Sequence, residues 1–309
     1  MDSSNTKQKI VVVCGPTGSG KTSVAIELAN TFSGEIVGAD SMQIYRYMNI
    51  GTAKPTPEEQ SRVPHHMIDI VDPDEHFDAA MYEGMAGKII GTLHTRELLP
   101  FVVGGTGFYI KSLVYGLFQG RSIDGSIRRR LKDEAVARGF GYLYERLEEC
   151  DPESAQRIHP NDNYRILRAL EVFEATGKTI SQYQRGHKFA EPSYAVLKIG
   201  LHMDRNILYD RINRRVDAMI EAGFVKEVSD LLDMGYAPEL KSMQSIGYRH
   251  VVDFLQTRLS WDEMLRTMQR DTRRYAKRQL TWFGNDKDII WIEPERQADI
   301  RMQIKKFLL

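Results

Sequence analysis

The sequence predicts an α/β fold in which a parallel sheet carries a phosphate-binding loop (a P-loop) and an all-helical domain is inserted into the chain. A buried, β-branched run from Ile10 to Cys14 leads into a glycine-rich loop and then into a helical pattern. Strand and helix patterns alternate up to about residue 120 and again after residue 195, which is typical of a parallel sheet with right-handed crossovers. Residues 121–194 contain helical patterns and no convincing strand. We therefore predict a P-loop core formed by 1–120 and 195–309, and a helical insertion of 121–194.

The glycine-rich loop, GPTGSGKT, fits the phosphate-binding pattern G-x-x-x-x-G-K-[ST]. Its glycines allow the backbone to wrap around an anion with the N–H groups pointing inward, and Lys21 adds a positive charge. The Thr22 hydroxyl suits a magnesium ion. Apolar residues at helical spacing follow from Val24 to Ala29, so the positive end of a helix points at the anion. The predicted phosphate ligands are Gly15, Pro16, Thr17, Gly18, Ser19, Gly20, Lys21 and Thr22.

The other elements follow in order along the chain. Glu35 to Ala39 predicts a second strand that ends at Asp40, and Asp78 is a suitable N-cap for a helix that runs past Leu93. Phe101 to Val103 predicts a third strand, followed by the turn Gly-Gly-Thr-Gly and then by a further helix. Two more strands are predicted at 195–201 and 289–292, and helices at 128–138, 142–150, 163–176, 216–231 (interrupted) and 261–280.

Composition is that of a soluble globular enzyme, with 42% hydrophobic and 27% charged residues. Lys+Arg and Asp+Glu are both 42, so any basic surface for a nucleic acid must be local. Only Cys14 and Cys150 are present, too few for a disulfide framework, which indicates the reducing cytoplasm. The chain has no recognisable signal peptide and no apolar run of bilayer length, so we expect no membrane partner.

The carboxyl ends of parallel strands meet at one edge of a sheet, which should bring the P-loop, Asp40 and the turn around Thr106 together. Asp40 could hold magnesium through water or act as a general base, or it could only cap the turn that follows it. The Thr106 hydroxyl could equally cap a helix or touch a ligand. Adjacent His65 and His66 point apart and lack partners at ligand spacing, so we expect them to be structural or surface residues.

The segment RTMQRDTRRYAKR, residues 266–278, contains six cations and one acid on a predicted helix. A charged helix face is usually only solvated. Here nearly all charges are positive and Tyr275 and Trp282 lie close by, which favours a nucleic-acid phosphate backbone with stacked bases. The residues expected to share one face are Arg266, Arg270, Arg273 and Lys277. A second basic surface is predicted in the insertion, at 128–130, Arg165 and Arg168.

Taken together, these motifs resemble those of the bacterial tRNA dimethylallyltransferases, also called tRNA isopentenyltransferases, from about Val11 to about Gly284. The P-loop alone is common to many activities, whereas DSMQIYR, GTAKP and AKRQ-TWF in combination are specific. The matching motifs are GPTGSGKT (15–22), DSMQIYR (40–46), GTAKP (51–55), VPHHMID (63–69), VGGTGFY (103–109), HPNDNYRILRALEV (159–172), RINRRVDAMIEAGF (211–224), SIGYR (245–249) and TRRYAKRQLTWF (272–283). Gly18 stands where the family usually has Ala, and Gly284 where a basic residue is common; neither is expected to touch a reacting group.

The resemblance implies that the P-loop holds the diphosphate of dimethylallyl diphosphate rather than ATP. It implies transfer of the dimethylallyl group to N6 of the adenosine that lies 3′ of the tRNA anticodon. Asp40 would accept the N6 proton, while Thr17 and Arg215 would join the diphosphate clamp, with Mg²⁺ near Thr22. The adenosine must be flipped out of its stack to react.

The residues that the resemblance places at tRNA fall in five segments of the chain. The implied partners are dimethylallyl diphosphate and the tRNA anticodon stem-loop, bound by a cytoplasmic monomer. The tRNA residues are Asp40, Ser41, Met42, Gln43, Thr106, Tyr164, Arg165, Ile166, Leu167, Arg168, Gln244, Ser245, Ile246, Gly247, Tyr248, Arg249, Arg273, Arg274, Lys277 and Arg278. Two other classes share the P-loop, namely a small-molecule kinase that uses ATP with a helical lid, and a regulatory nucleotide switch. Neither of them requires the basic helix.

Overall fold

The computed structural model describes residues 7–117, 125–187 and 191–309, and its strands form one parallel sheet. The strands are β1 (Lys9–Cys14), β2 (Gly34–Gly38), β3 (His65–His66), β4 (Leu99–Gly104), β5 (Ala195–Leu201) and β6 (Ile289–Ile292). Their order across the sheet is β3-β2-β4-β1-β5-β6. Strand β1 is central because its β-branched side chains are buried on both faces, and Val12 lies between Val102 and Lys198 on the neighbouring strands.

Helices connect the strands and cover the sheet, as the alternating pattern predicts. They are α1 (Lys21–Thr31), α2 (Pro57–Arg62), α3 (Ala79–Thr95), α4 (Gly107–Tyr115), α5 (Gly125–Arg138), α6 (Phe140–Cys150), α7 (Pro152–Ala155), α8 (Asn163–Thr176), α9 (Ile180–His187), α10 (Arg205–Glu221), α11 (Phe224–Asp233), α12 (Tyr248–Leu255), α13 (Trp261–Gly284) and α14 (Gln297–Leu308). Asp78 caps α3 as predicted, by accepting the N–H groups of Ala80 and Met81. The interrupted pattern at 216–231 corresponds to α10 and α11, which are separate helices.

The α/β P-loop fold class is confirmed, and the hydrophobic core explains why the loops above the sheet are held in place. Val11 and Val13 of β1 pack with Val24 and Leu28 of α1 and with Ile300 of α14 in one buried cluster. Each such side chain contributes roughly 1.5–3 kcal/mol when fully buried. The carboxyl ends of β1, β2 and β4 are therefore fixed points from which the site loops start.

The chain divides into two compact units, one of which ends at Val114 and resumes at Ser193. The other unit is Tyr115–Pro192. The first boundary lies six residues before the 120/121 position expected from the strand and helix patterns, and the second lies two residues before 194/195. The reason is a hydrogen bond within the first unit: the Ser193 N–H donates to the Val114 carbonyl oxygen at 2.7 Å, so the chain leaves and re-enters this unit at one place.

The helical unit contains α5 to α9 around its own apolar core, which includes Leu131, Leu147 and Leu170. Arg146 donates to Glu134 at 2.5 Å and to Glu174 at 2.6 Å. The basic residues of this unit are therefore partly neutralised by carboxylates of the same unit.

The sequence patterns did not predict six elements: β3, α2, α7, α9, α12 and α14. Strand β3 consists of His65 and His66 and pairs with β2, and the His66 imidazole lies 2.7 Å from the Glu35 carboxylate. A strand of two polar residues has no periodicity by which it could be recognised. Among the described residues, no helix has both the length and the apolar character needed to cross a membrane.

Candidate active site

A cavity of about 500 Å³ lies beyond the carboxyl ends of β1, β2 and β4. Its walls come from the P-loop, from the segment that starts at Asp40, and from the end of β4 at Gly104. Side chains of α10 and α13 line it as well, so segments from both ends of the chain meet here. The edge-of-sheet argument placed Asp40 beside the P-loop, and the cavity contains both.

The P-loop leads directly into α1, which begins at Lys21 immediately after Gly20. Gly20 has a φ of 88°, a left-handed conformation that favours glycine. The Lys21 ammonium donates to the carbonyl oxygen of Pro16 at 2.8 Å. Burial, together with the nearby Arg215 cation, lowers the pKa of Lys21 to about 8. A dianionic ligand in this loop would therefore favour a fully charged Lys21.

Arg215 reaches the loop from α10, as the resemblance implies. Its guanidinium donates to the Thr17 hydroxyl at 3.4 Å. Burial and the neighbouring Arg211 lower the pKa of Arg215, while the Asp40 carboxylate acts in the opposite direction. Two cations and the positive end of α1 thus converge on one side of the cavity. Thr22 lines the same cavity.

Asp40 follows β2 and organises the turn after it. Its Oδ1 accepts the N–H of Met42 at 2.8 Å and that of Gln43 at 3.3 Å. These described hydrogen bonds use only Oδ1, which leaves Oδ2 available to a ligand in the cavity. The capping role considered for Asp40 and a chemical role are therefore compatible.

Thr106 holds the same turn from the opposite side, because its hydroxyl accepts the Ser41 N–H at 3.0 Å. The Tyr275 phenol of α13 lies beside the side chains of Thr106 and Gln279. Burial and the charge of Asp40 raise the pKa of Tyr275, so its phenol stays protonated and can donate.

Gln279 is a site residue that the sequence analysis missed. Its Oε1 accepts the Thr17 N–H at 2.8 Å, and its Nε2 donates to the Gly105 carbonyl oxygen at 2.9 Å. The side chain is buried and joins the P-loop to the turn after β4. A signal was present in the sequence: Gln279 is the one polar residue on the buried stripe of α13, between Ala276 and Phe283.

Glu227 of α11 is a second residue that the sequence did not reveal. Its carboxylate accepts the N–H groups of Asn49, Ile50 and Gly51 at 2.9, 2.7 and 3.1 Å, and the Tyr248 hydroxyl at 2.6 Å. It thereby ties the GTAKP loop to the start of α12.

Gln43 is anchored to the same GTAKP loop. Its amide nitrogen donates to the carbonyl oxygens of Thr52 and Ala53 at 3.2 and 3.0 Å. These bonds fix the orientation of the amide, whose Oε1 then points in a defined direction.

The 244–249 segment forms part of the cavity wall. Ser245, Ile246, Gly247 and the buried Tyr248 line the cavity, whereas Gln244 is exposed. Within the described part of the chain, two buried polar atoms of cavity-lining residues have no hydrogen-bonding partner: the Ser245 hydroxyl and Nε2 of His65. His65 therefore belongs to the cavity wall as well as to β3.

The four cations predicted to share one face lie on the continuous helix α13, but they differ in exposure. Arg266 and Lys277 are exposed, but Arg270 and Arg273 are half-buried with partners. Arg270 donates to Asp271 at 2.9 Å and Arg273 to Asn213 at 2.6 Å.

Asp271 also accepts Arg249 at 2.6 Å. Although burial raises it, hydrogen bonds from Arg270, Arg249 and His250 hold the pKa of Asp271 far below its usual range. Arg274, Lys277 and Arg278 are exposed cations in the second half of this helix, and Arg278 also lines the cavity.

The predicted 164–168 segment lies on α8 of the helical unit. Ile166 and Leu167 are buried in the core of that unit, so their side chains are not on a surface that RNA could touch. Tyr164 and Arg165 are exposed, and Arg168 donates to the buried Glu171 at 3.0 Å. The amphipathic pattern of the helix explains the difference, since residues 166 and 167 fall on its inner face.

Comparison with known proteins gives consistent results. The sequence profile described as "IPP transferase" matches residues 43–286, and that described as "Isopentenyl transferase" matches residues 8–69. The tRNA dimethylallyltransferase of Desulfosudis oleivorans is 54% identical over 304 residues, which is 98% of this chain and 97% of that protein. The tRNA dimethylallyltransferase of Syntrophobacter fumaroxidans is 55% identical over 92% of this chain and 83% of its own.

Solved structures are also similar to this chain. The tRNA isopentenylpyrophosphate transferase of Bacillus halodurans has a TM-score of 0.72 at 39% identity, over 97% of this chain and 98% of its own. A eukaryotic dimethylallyltransferase acting on tRNA has a TM-score of 0.81 at 30% identity, over 93% of this chain and 74% of its own. The chain is a member of the IPP transferase family.

Proposed function

We propose that this protein transfers the dimethylallyl group of dimethylallyl diphosphate to N6 of the adenosine 3′-adjacent to the anticodon in tRNA. The names of the relatives support the tRNA prenylation reaction. The observation that carries the proposal is that a P-loop with two cations and a partly unengaged carboxylate, Asp40, lie in the same cavity. We assign the reaction to the cytoplasm, since both cysteines are free thiols.

The diphosphate is proposed to bind in the P-loop, against Lys21, Arg215 and the Thr17 hydroxyl. The allylic C–O bond breaks with its electron pair going to the diphosphate, so negative charge develops where these donors converge. Catalysis at this end is electrostatic, because the loop N–H groups and the cations are already oriented by the fold. The competing kinase would use the same loop for ATP, but it gives no role to the exposed cations of α13.

Magnesium fits the donor set of this site. Mg²⁺ usually takes one or two protein oxygens together with phosphate oxygens and water, and the hydroxyl of Thr22, which lines the cavity, is such a donor. Bound there, the ion would neutralise charge on the departing diphosphate.

Asp40 is proposed to accept the N6 proton. The adenine N6 attacks the allylic carbon and forms the new C–N bond, and its proton passes to Oδ2 of Asp40. An exocyclic amine is not acidic, so this transfer accompanies or follows the attack. Oδ1 stays bound to the backbone of Met42 and Gln43, which fixes the carboxylate in place.

The target adenosine is proposed to enter the cavity by flipping out of the anticodon loop, because N6 cannot react while its base is stacked. Ser41, Gln43 and Thr106 are its proposed readers. The unpartnered Ser245 hydroxyl and Nε2 of His65 support a ligand that brings polar groups of its own. Arg274, Lys277 and Arg278 are proposed to bind tRNA phosphates, and Tyr164 and Arg165 to provide RNA contacts on the helical unit.

One experiment separates the proposal from the alternatives. Unmodified tRNA is incubated with the protein and Mg²⁺, and with either dimethylallyl diphosphate or ATP. We expect the tRNA to gain the mass of one isoprene unit on the anticodon loop, only with the allylic substrate. Hydrolysis of ATP, or phosphate transfer to a small molecule, without any tRNA mass gain would favour the kinase instead.

A further inference from the structure

Two large aromatic side chains are exposed beside the turn that follows β4 and have no role in the reaction as proposed above. Trp282 is 43% exposed and Phe108 is 49% exposed. Their rings meet edge to face, with centroids 6.5 Å apart. We name Trp282 and Phe108 together the aromatic shelf.

The shelf is held rigidly against the start of α4. A Cβ atom added at Gly107 would lie 2.1 Å from the indole Cδ1 and Nε1 of Trp282, so only glycine allows the indole to lie on this backbone. Gly107 directly follows Thr106, whose hydroxyl accepts the Ser41 N–H beside Asp40. The shelf is therefore adjacent in the chain and in space to the turn that surrounds Asp40.

The surroundings of the shelf favour an anionic partner. Arg274, Arg278 and Trp282 are spaced i, i+4 and i+8 on α13, so they form one stripe, and all three are exposed. Tyr275 and Gln279, the neighbours of this stripe, point into the cavity. The acid nearest in sequence after Trp282, Asp286, accepts a hydrogen bond from Lys198 at 2.7 Å.

We propose that the aromatic shelf stacks the base that neighbours the target adenosine in the RNA. This inference rests on the proposed function. When the adenosine flips into the cavity, the adjacent base loses a stacking partner, and an exposed indole plane supplies a replacement. Arg278, one turn before Trp282 on α13, holds the intervening phosphate. The aromatic shelf therefore binds the RNA loop whose adenosine is flipped out more tightly than the loop whose adenosine is stacked.

The first test measures binding of the anticodon stem-loop to Trp282→Leu and Trp282→Phe. Leucine still covers Gly107 but has no ring, and phenylalanine keeps a smaller ring. We expect Trp282→Leu to weaken binding roughly 5- to 150-fold, the range for loss of one base–aromatic stack, with Trp282→Phe in between. The slope of log affinity against log salt should stay at the wild-type value, because stacking releases no counterions.

Trp261→Leu is the matched control. Trp261 begins the same helix and is 42% exposed, but it packs on Phe254 at the other end of α13. Its replacement should leave RNA affinity unchanged. Circular dichroism of each variant establishes that the fold is retained.

The second test identifies the base. Each of the two nucleotides that flank the target adenosine is made abasic in turn, and both RNAs are titrated against wild type and Trp282→Leu. For one of the two positions, the abasic RNA should bind the wild-type protein as weakly as the intact RNA binds Trp282→Leu. That abasic RNA should bind Trp282→Leu with no further loss of affinity, because the same stacking contact is already absent. Wild-type affinity in Trp282→Leu, or losses that multiply at both positions, would overturn the stacking proposal. If the wild-type protein modifies tRNA but the Trp282 substitution and the abasic positions act independently on affinity, only the stacking proposal is refuted. If the wild-type protein does not modify tRNA at all, the proposed function is refuted.

Discussion

Replacing Gln279 should separate the two loops that it joins. The side chain accepts the Thr17 N–H at 2.8 Å and donates to the Gly105 carbonyl oxygen at 2.9 Å. Gln279→Leu keeps a side chain of similar volume and removes both hydrogen bonds. Gln279→Glu keeps the acceptor for Thr17 but, when ionised, places a carboxylate oxygen against the Gly105 carbonyl oxygen.

The size of the effect follows from the two backbone groups. A buried donor or acceptor left without a partner costs about 1–3 kcal/mol. The loss at Thr17 acts on the diphosphate loop and should raise KM for dimethylallyl diphosphate or lower kcat by roughly 5- to 150-fold. The loss at Gly105 should appear chiefly as a lower melting temperature, because Gly105 belongs to the turn after the central strands.

The assay is single-turnover prenylation of tRNA across a range of pH. Below the raised pKa of the new buried carboxyl, Gln279→Glu is protonated, donates to Gly105 again and should recover activity as the pH falls. Gln303→Glu on α14, outside the site, is the control and should follow the wild-type pH profile. If Gln279→Leu kept wild-type kinetics and Gln279→Glu showed no recovery at low pH, the reasoning about this side chain would be refuted.

Four further predictions concern the other groups of the protein. Asp40→Asn should slow single-turnover prenylation by about 10²–10⁴-fold while tRNA affinity is kept, and near-normal turnover would remove Asp40 as the base. Because the pKa of Lys21 is about 8, KM for dimethylallyl diphosphate should increase as the pH rises above 8, where binding must take up a proton, and Lys21→Ala should flatten this dependence. The free energy of unfolding without ligand should likewise rise between about pH 8 and pH 10.5, since the unfolded chain then binds more protons. Arg274→Gln with Lys277→Gln should reduce the salt slope of tRNA binding by roughly 0.7–0.9 per lost contact, whereas Lys306→Gln on α14 should leave it unchanged.

The parts of the site that the sequence predicted are those coded by short motifs. The P-loop needs a strand, glycines, a lysine and a helix within a dozen residues, so Lys21 could be placed without knowledge of the fold. Asp40 could be placed because a carboxylate at the end of a parallel strand lies at the ligand edge of the sheet.

The parts that escaped prediction depend on partners far away in the chain. The hydrogen-bonding partners of Gln279, which are Thr17 and Gly105, precede it by 262 and 174 positions. The backbone partners of Glu227 precede it by 176 to 178 positions. Helical spacing predicted the helix face on which Arg270 and Arg273 lie, but not their partners, Asp271 and Asn213. Those partners decide whether each cation is available to RNA. Periodicity alone contains no information of that kind.

The central position of β1 has a consequence for synthesis on the ribosome. One edge of β1 pairs with β4, which is complete when Gly104 has been made, but the other edge pairs with β5, which starts at Ala195. At about 5–20 residues per second, the 90 residues from 105 to 194 take roughly 5–18 s to translate. During that interval the nascent chain carries an apolar strand with an open edge, which is a template for pairing with other chains. The helical insertion therefore sets the time for which a chaperone must cover this edge, and mutations that slow its translation should lower the yield of folded protein without altering any residue of the site.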